Sequence, residues 1–123
     1  MNCTLTLPWP PKQLSPNARI HWSTRARHAK AYKSACYAIT RQAGLLPPYP
    51  TGKIALRLDF YAPARRRRDL DNLLASMKSG IDGVAWALGV DDSRFTFAIA
   101  LADEIGGFVR LTIEGTNENQ TAI

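Results

Sequence analysis

Two aspartates separated by one residue, Asp69 and Asp71, follow directly on four consecutive arginines, Arg65 to Arg68. Adjacent guanidinium groups grip a polyanion, and carboxylates supply the hard oxygen ligands that Mg2+ takes one or two at a time, with water filling the rest of its shell. A metal held in this way polarises a phosphate and lowers the pKa of an attacking water, which is the help that phosphodiester hydrolysis needs. The segment therefore reads as a phosphate grip beside a candidate metal site. Helix capping is the plainer use of Asp69 and Asp71, and their position behind the arginines is what sets them apart from ordinary caps.

Geometry restricts how the pair can work. Residues i and i+2 of a regular helix point about 200° apart, so both carboxylates reach one ion only if they straddle a helix start. Asp69 is then expected as the N-cap, in extended backbone, with Asp71 in the first turn, where the helix dipole favours both ionised forms against their mutual repulsion. A second acidic pair, Asp91-Asp92, precedes a strand pattern and by itself reads as a turn. One helix from Asp69 to Leu88 would be about 30 Å long and would leave Asp91 and Asp92 at the far end. A third carboxylate joins the first two only through a bend, a shorter helix or the approach of a second chain. Lys78 falls on the Asp71 face two turns along, with Asp82 one turn beyond. It can steady an anionic transition state, or form a surface ion pair with Asp82 worth only about 0.5 kcal/mol.

The elements that must position these groups follow from periodicity. Cys3, Leu5 and Leu7 alternate with Asn2, Thr4 and Thr6 in a strand that ends at Pro8-Trp9-Pro10-Pro11; an ordered loop carrying Arg19 and His21 follows. From Ser23 to about Ala43, Ala29, Tyr32, Cys36, Ile39 and Ala43 form the apolar stripe of a helix, with Ser23 or Thr24 as its cap and Gly44 at its end. Arg25, Arg27, Lys30, Lys33 and Arg41 fill its outer face. Pro47-Pro48-Tyr49-Pro50 blocks continuation, and a strand runs from about Lys53 to Tyr61. Leu70, Leu74, Met77, Ile81, Val84 and Leu88 then mark one long helix whose seam belongs to the core, with a dimer contact as the second choice. Phe95, Phe97, Ile99 and Leu101 make a third strand, Gly106-Gly107 a hairpin turn, Val109, Leu111 and Ile113 a fourth strand, and a polar tail begins near Gly115. The order β-α-β-α-β-β predicts an α+β domain, a small sheet with helices packed on one side.

Composition agrees with one domain and one class of partner. The chain has 123 residues, 46% of them hydrophobic, and no apolar run long enough for a bilayer span. Its opening has no charged region ahead of an apolar run, so no secretion signal is expected and the protein is expected in the cytoplasm. Cys3 and Cys36 are too few for a disulfide framework or a zinc site and read as core residues. The net charge of +6 is unevenly placed: residues 1–68 carry +12 and residues 69–123 carry −6. A basic half joined to an acidic half suits a protein that holds a polyanion and works on it with carboxylates.

Leu7-Pro8-Trp9-Pro10-Pro11 with Asn17 after it, Arg65 to Asn72, and Asp91-Asp92 before a strand together resemble the RusA family of Holliday-junction resolvases, small phage and prophage endodeoxyribonucleases. The resemblance spans nearly the whole chain. It implies Mg2+-dependent cleavage, with Mn2+ as an alternative ion, carried by Asp69, Asp71 and Asp92, with Asp91 as the substitute for Asp92. The family's helix lysine stands three residues after the motif asparagine, where this chain has Ala75; Lys78 instead keeps the family's four-residue spacing to the next aspartate, Asp82. The resemblance further implies a homodimer that nicks opposed strands of a four-way junction, leaving 5′-phosphate and 3′-hydroxyl ends. Arg65 to Arg68, with Arg19, Arg25, Arg27, Lys30 and Lys33, would hold the DNA. Two rivals remain at this level: a nucleic-acid-binding module whose acids only cap and solvate, and a nuclease for another branched substrate.

Overall fold

Period-two alternation in four segments builds one open sheet, and the side chains on its inner face are covered by helices. The structure is a computed structural model in which residues 3–45 and 52–114 are described. The proline cluster 47–50 and the tail from 115 lie outside them. The elements are β1 (Cys3–Pro8), α1 (Trp22–Gln42), β2 (Ile54–Tyr61), α2 (Leu70–Ser76), α3 (Lys78–Leu88), β3 (Phe95–Leu101) and β4 (Phe108–Ile113). Single 3-10 turns occupy Lys12–Leu14 and Asp92–Arg94. This is the expected α+β domain. Leu5, Leu7, Leu56, Leu58, Phe60, Val109 and Leu111 point inward, while Thr4, Thr6, Arg57 and Arg110 face solvent on the other side.

Strand order differs from the simplest reading. The sheet runs β1-β4-β2-β3, with β3 parallel to β2 and β4 antiparallel to both β1 and β2. Gly106-Gly107 is therefore no hairpin between β3 and β4, because β2 lies between those strands. The Gly106 and Gly107 amides donate instead to the Ala62 and Tyr61 carbonyls at 2.8 and 2.7 Å. The connection thus crosses the end of β2, and Gly107, at φ 89°, takes the left-handed conformation that the crossing requires. Spacing and turn residues describe a reversal of the chain but not which strand lies next to it.

The first helix begins one residue early. His21, rather than Ser23 or Thr24, caps it, its Nδ1 accepting the Ser23 amide at 3.1 Å. The expected helix 69–88 is divided at Met77, whose amide turns to the Leu74 and Ala75 carbonyls. Ser76 Oγ donates to the Asn72 carbonyl at 2.9 Å, a bond to the residue four back that bends helices. The apolar seam nevertheless stays in the core: Met77, Ile81, Val84 and Leu88 are buried, and Leu70 and Leu74 pack against them half-buried. No apolar stripe of this helix is left over for a dimer contact.

Small residues set how closely α3 lies on α1. A Cβ at Gly83 would overlap the Lys33 carbonyl oxygen, and one at Gly80 would press on the Tyr32 ring. Tyr32, buried at this crossing, donates to the Pro8 carbonyl at 2.6 Å and lies 3.2 Å from Met77 Sδ, so a single hydroxyl joins β1, α1 and the helix break. Cys36 is also buried here, and burial pushes its thiol up to about 12, leaving an inert packing residue as its position in the stripe indicates. Gly83→Ala is expected to destabilise the fold by about 1–3 kcal/mol, because the obstacle is backbone rather than a movable side chain. Urea unfolding measures this; an unchanged midpoint would mean that the helices separate freely.

Candidate functional site

The loop between β2 and α2 carries the arginine run, and Asp69 closes it as the N-cap of α2. Its backbone is extended (φ −99°, ψ 117°), and its Oδ1 accepts the Asp71 amide at 2.8 Å and the Asn72 amide at 3.4 Å. Asp71 follows in the first turn, as the spacing required, and both carboxylates are exposed. A cleft of about 410 Å³ opens beside Asp69, lined by Trp9, Lys12, Asn17, Arg68, Asp69 and Asn72 among others; Arg66 and Arg67 lie on its wall. Arg65 and Arg66 also border a separate acidic hollow with Asp103 and Glu104.

Arg68 is the most enclosed of the four arginines. Its guanidinium lies 5.3 Å from the centre of the Trp9 ring and donates through Nη2 to the Ala64 carbonyl at 3.3 Å, while its Nε is buried without a hydrogen-bond partner. Burial, followed by the repulsion of Arg66, lowers its pKa. Trp9 is itself braced edge-on against Phe60 in the core, with ring centres 6.0 Å apart. The proline-flanked tryptophan thus supplies a rigid wall for the cation.

The second group forms around α3. Gly89, at φ 71°, ends the helix in the left-handed conformation, and the Val90 amide returns to the Ala85 carbonyl at 3.0 Å, so the chain turns back along the helix. Asp91 caps the next 3-10 turn by accepting the Ser93 amide at 3.0 Å, and the side-chain and backbone hydrogen bonds from Ser93 lower its pKa. Asp92 comes to rest beside α3, 3.9 Å from Lys78 Nζ and within hydrogen-bonding reach of Asp82. Lys78 therefore pairs across the turn with Asp92 and not simply along the helix with Asp82. A pocket of about 260 Å³ lies against this group, lined by Leu74, Lys78, Ile81, Asp82, Asp92 and Phe97.

Asp69 thus lines one cleft, with Asp71 exposed two residues on, and Asp92 lines another. Among the described residues, no three acidic, histidine or cysteine side chains meet closely enough to hold one ion together. The cations on α1 also differ in use. Arg25 spends Nη1 and Nη2 on the Ser15 and Ala18 carbonyls, at 3.2 and 3.0 Å, and so braces the loop before α1. Arg19, Arg27 and Lys30 are exposed, and Lys33 sits half-buried over the Trp86 ring. Asp82 emerges as a member of the second group although sequence spacing offered it only as an ion-pair partner. Its i+4 spacing from Lys78 was visible, but the turn that delivers Asp92 was not. Among the described residues, no helix is long and apolar enough to cross a membrane.

Burial and the shared hydrogen bond with Asp92 raise the pKa of Asp82, against the opposing pull of Lys78 and Lys33. A carboxyl whose pKa is raised on folding favours the folded state while protonated, and that contribution fades as pH rises through the folded value. Asp82→Asn removes the ionisation and supplies a permanent donor to Asp92. The variant is expected to be at least as stable as the native protein at pH 7, with the difference narrowing as pH falls through the aspartate range. Thermal unfolding between pH 3 and pH 7 reads this directly; a variant less stable at neutral pH would show that the ionised Asp82 is held by its cations.

No family model matches the chain. Among solved structures, IspF of Plasmodium falciparum in its CDP complex aligns with 74% of this chain and 51% of its own, at 11% identity and a TM-score of 0.34. This chain spans about half of that protein, and a likeness so weak carries no argument about fold or function. An uncharacterized protein of Xylella fastidiosa is 42% identical over 119 residues, an alignment covering 94% of this chain and 78% of the relative. At that identity and coverage, the chain belongs to the same family as the Xylella protein.

Proposed function

We propose that this chain is a metal-dependent endodeoxyribonuclease acting on branched DNA, four-way junctions above all, in the manner of the RusA family that its motifs resemble. One observation carries the reading: Asp69 lines a cleft walled by Arg66, Arg67, Arg68 and Lys12, with Asp71 exposed two residues on in the first turn of α2. Phosphates enter such a cleft for its charge, and an acid in its lining would repel them unless a cation stood between. The donors suit Mg2+, or Mn2+, because both capping bonds of Asp69 fall on Oδ1, so Oδ2 of Asp69 and the exposed carboxylate of Asp71 remain as hard oxygen ligands. When bound there, the ion would neutralise the phosphate and make water a competent nucleophile at neutral pH.

The remaining work falls to the chain. Arg66 to Arg68 and Lys12 hold the backbone on either side of the scissile phosphate, and Asn17 and Asn72 offer neutral donors in the same cleft. Water adds to phosphorus, the bond to the 3′ oxygen breaks, and the products are a 5′-phosphate and a 3′-hydroxyl. Lys78, three-quarters exposed and 3.9 Å from Asp92, would steady a leaving oxygen where Asp92 meets the first cleft. Asp92 reaches the first cleft most simply from a second copy. In the sheet order, β3 is an edge strand, and it and the loop after it expose Phe97, Leu101 and Ile105 (43%, 39% and 54%). A symmetric dimer on that edge would bury them, and Phe97 lines the pocket beside Asp92. With chromosomal or phage DNA as substrate, the enzyme would work in the cytoplasm of a bacterial or phage-infected cell.

A labelled synthetic four-way junction tests the chemistry. Paired symmetric nicks are expected with Mg2+, and Asp71→Asn is expected to reduce them about a hundred-fold or more, since changing even a hydrogen-bonded neighbour of a metal ligand costs about 10–100-fold. Equal cleavage of linear duplex would sink the junction reading. Binding without cutting would favour a module in which Asp69 and Asp91 serve only as the caps they form. The dimer is checked by sedimentation: Phe97→Glu is expected to shift the protein to monomer and to uncouple the two nicks, and a native protein that sediments as a monomer would remove the symmetric mechanism.

A further inference from the structure

The outer face of α3 leaves one large residue in water. Ile81, Val84, Ala85, Ala87 and Leu88 are buried, whereas Trp86 is 60% exposed. The core therefore does not require an indole at this position, yet the ring is held firmly. Tyr37 packs against it with ring centres 4.3 Å apart and planes 33° apart, and Lys33 Nζ lies 5.4 Å from its centre. Both supports stand one turn apart on α1. Tyr37 is fixed in turn by Arg41, whose Nη1 donates to its hydroxyl at 2.9 Å. Trp22 is still more exposed, at 75%, but its ring neighbour is the adjacent His21, the cap of the same helix. Trp86 instead forms one wall of a hollow of about 320 Å³ that it shares with Lys33, Asp82, Asp91 and Asp92.

We propose that Trp86 is a stacking platform for an unpaired nucleobase, held ready by Tyr37 and Lys33 beside the Asp91-Asp92 cleft. The proposal rests on the reading that the chain binds DNA, but not on its cutting it. Three features select this occupant. An exposed indole offers a flat π surface of the size of a base, and stacking is indifferent to which base arrives. The supports fix the ring before binding, so little side-chain entropy is lost. Lys33 lies against the ring, and Lys30 is exposed on the same helix, so the phosphates beside the base meet cations, while the neutral base is the part of a nucleotide that the neighbouring acids do not repel. A base within a duplex has both faces covered, so the platform selects strands that have left the stack, as at a branch point.

Binding without divalent metal, so that no cleavage intervenes, tests the platform on three labelled DNAs: an oligo-dT strand, a blunt duplex and a four-way junction. Trp86→Leu keeps an apolar cover over Tyr37 and loses the flat ring; Trp86→Phe keeps a ring. The leucine variant is expected to bind the single strand and the junction about ten-fold more weakly, with duplex affinity within two-fold of native and an unchanged thermal midpoint, while phenylalanine restores most of the loss. Native-like binding of all three DNAs by the leucine variant would overturn the proposal. So would an equal loss on all three, or a phenylalanine variant no better than leucine. A change in sedimentation without a change in DNA affinity would assign the ring to a protein contact and overturn it as well. A native protein that stacks on single strands but never cuts would leave the platform standing while the nuclease reading fell; one that binds none of the three DNAs would end both.

Discussion

The contact on which the rest depends is the close crossing of α3 over α1. Without side chains at Gly80 and Gly83, α3 settles onto the Lys33 carbonyl and the Tyr32 ring. That depth sets the position of every group along α3 relative to α1. Asp82 feels the Lys33 ammonium, Trp86 rests on Tyr37, and Tyr32 reaches past Met77 to the end of β1. A side chain at either glycine would lift one helix off the other by part of an ångström or more and loosen all three arrangements together. The two glycines weaken α3 as an isolated helix, since each is less favourable than alanine by about 1 kcal/mol, so packing against α1 has to supply the difference.

Two local breaks in regular structure then decide where the acids go. The division at Met77 separates the turn that presents Asp69 and Asp71 from the helix that presents Lys78 and Asp82. The left-handed Gly89 folds the chain back so that Asp92 meets those two residues instead of continuing away from them. The result is two half-sites of different character. At the first, carboxylates face water beside cations, with one oxygen of Asp69 tied to helix amides. At the second, a carboxyl pair shares a hydrogen bond and leans on a lysine, a balance in which burial pulls one way and the ammonium groups the other.

Much of the strand and helix pattern was legible because it rests on alternation and helical spacing, which are local. Leu5 and Leu7, or Ile54 to Phe60 by twos, allow no other reading, and Asp69 as a cap with Asp71 behind it follows from the directions side chains take at a helix start. The hairpin at Gly106-Gly107 failed because strand neighbours are chosen by the whole sheet: two glycines signal a reversal equally well when β2 lies between the strands. The break at Met77 was hidden because its apolar seam runs unbroken through it, and burial alone does not report backbone direction. The pairing of Trp86 with Tyr37 is hidden for the opposite reason. They belong to different helices, and no spacing within one segment shows that two rings on separate segments will meet.

Charge was legible in amount but not in availability. The basic half of the sequence suggests a broad grip on DNA, yet several of its cations are already engaged in holding the fold. Arg25 braces two loop carbonyls, Arg57 is bonded to Asp59 at 3.1 Å on the solvent face of the sheet, and Arg41 anchors Tyr37. Each phosphate contact releases counterions and steepens the salt dependence of binding, but only a guanidinium free to turn toward the phosphate contributes. The exposed cations remain where Arg66 and Arg67 flank Asp69, while at the acidic hollow Lys33 lines the wall from its place over Trp86 and Lys30 is exposed on the same helix. Cations therefore remain available beside each group of acids, and that pairing, more than total charge, is what a phosphate-handling surface needs.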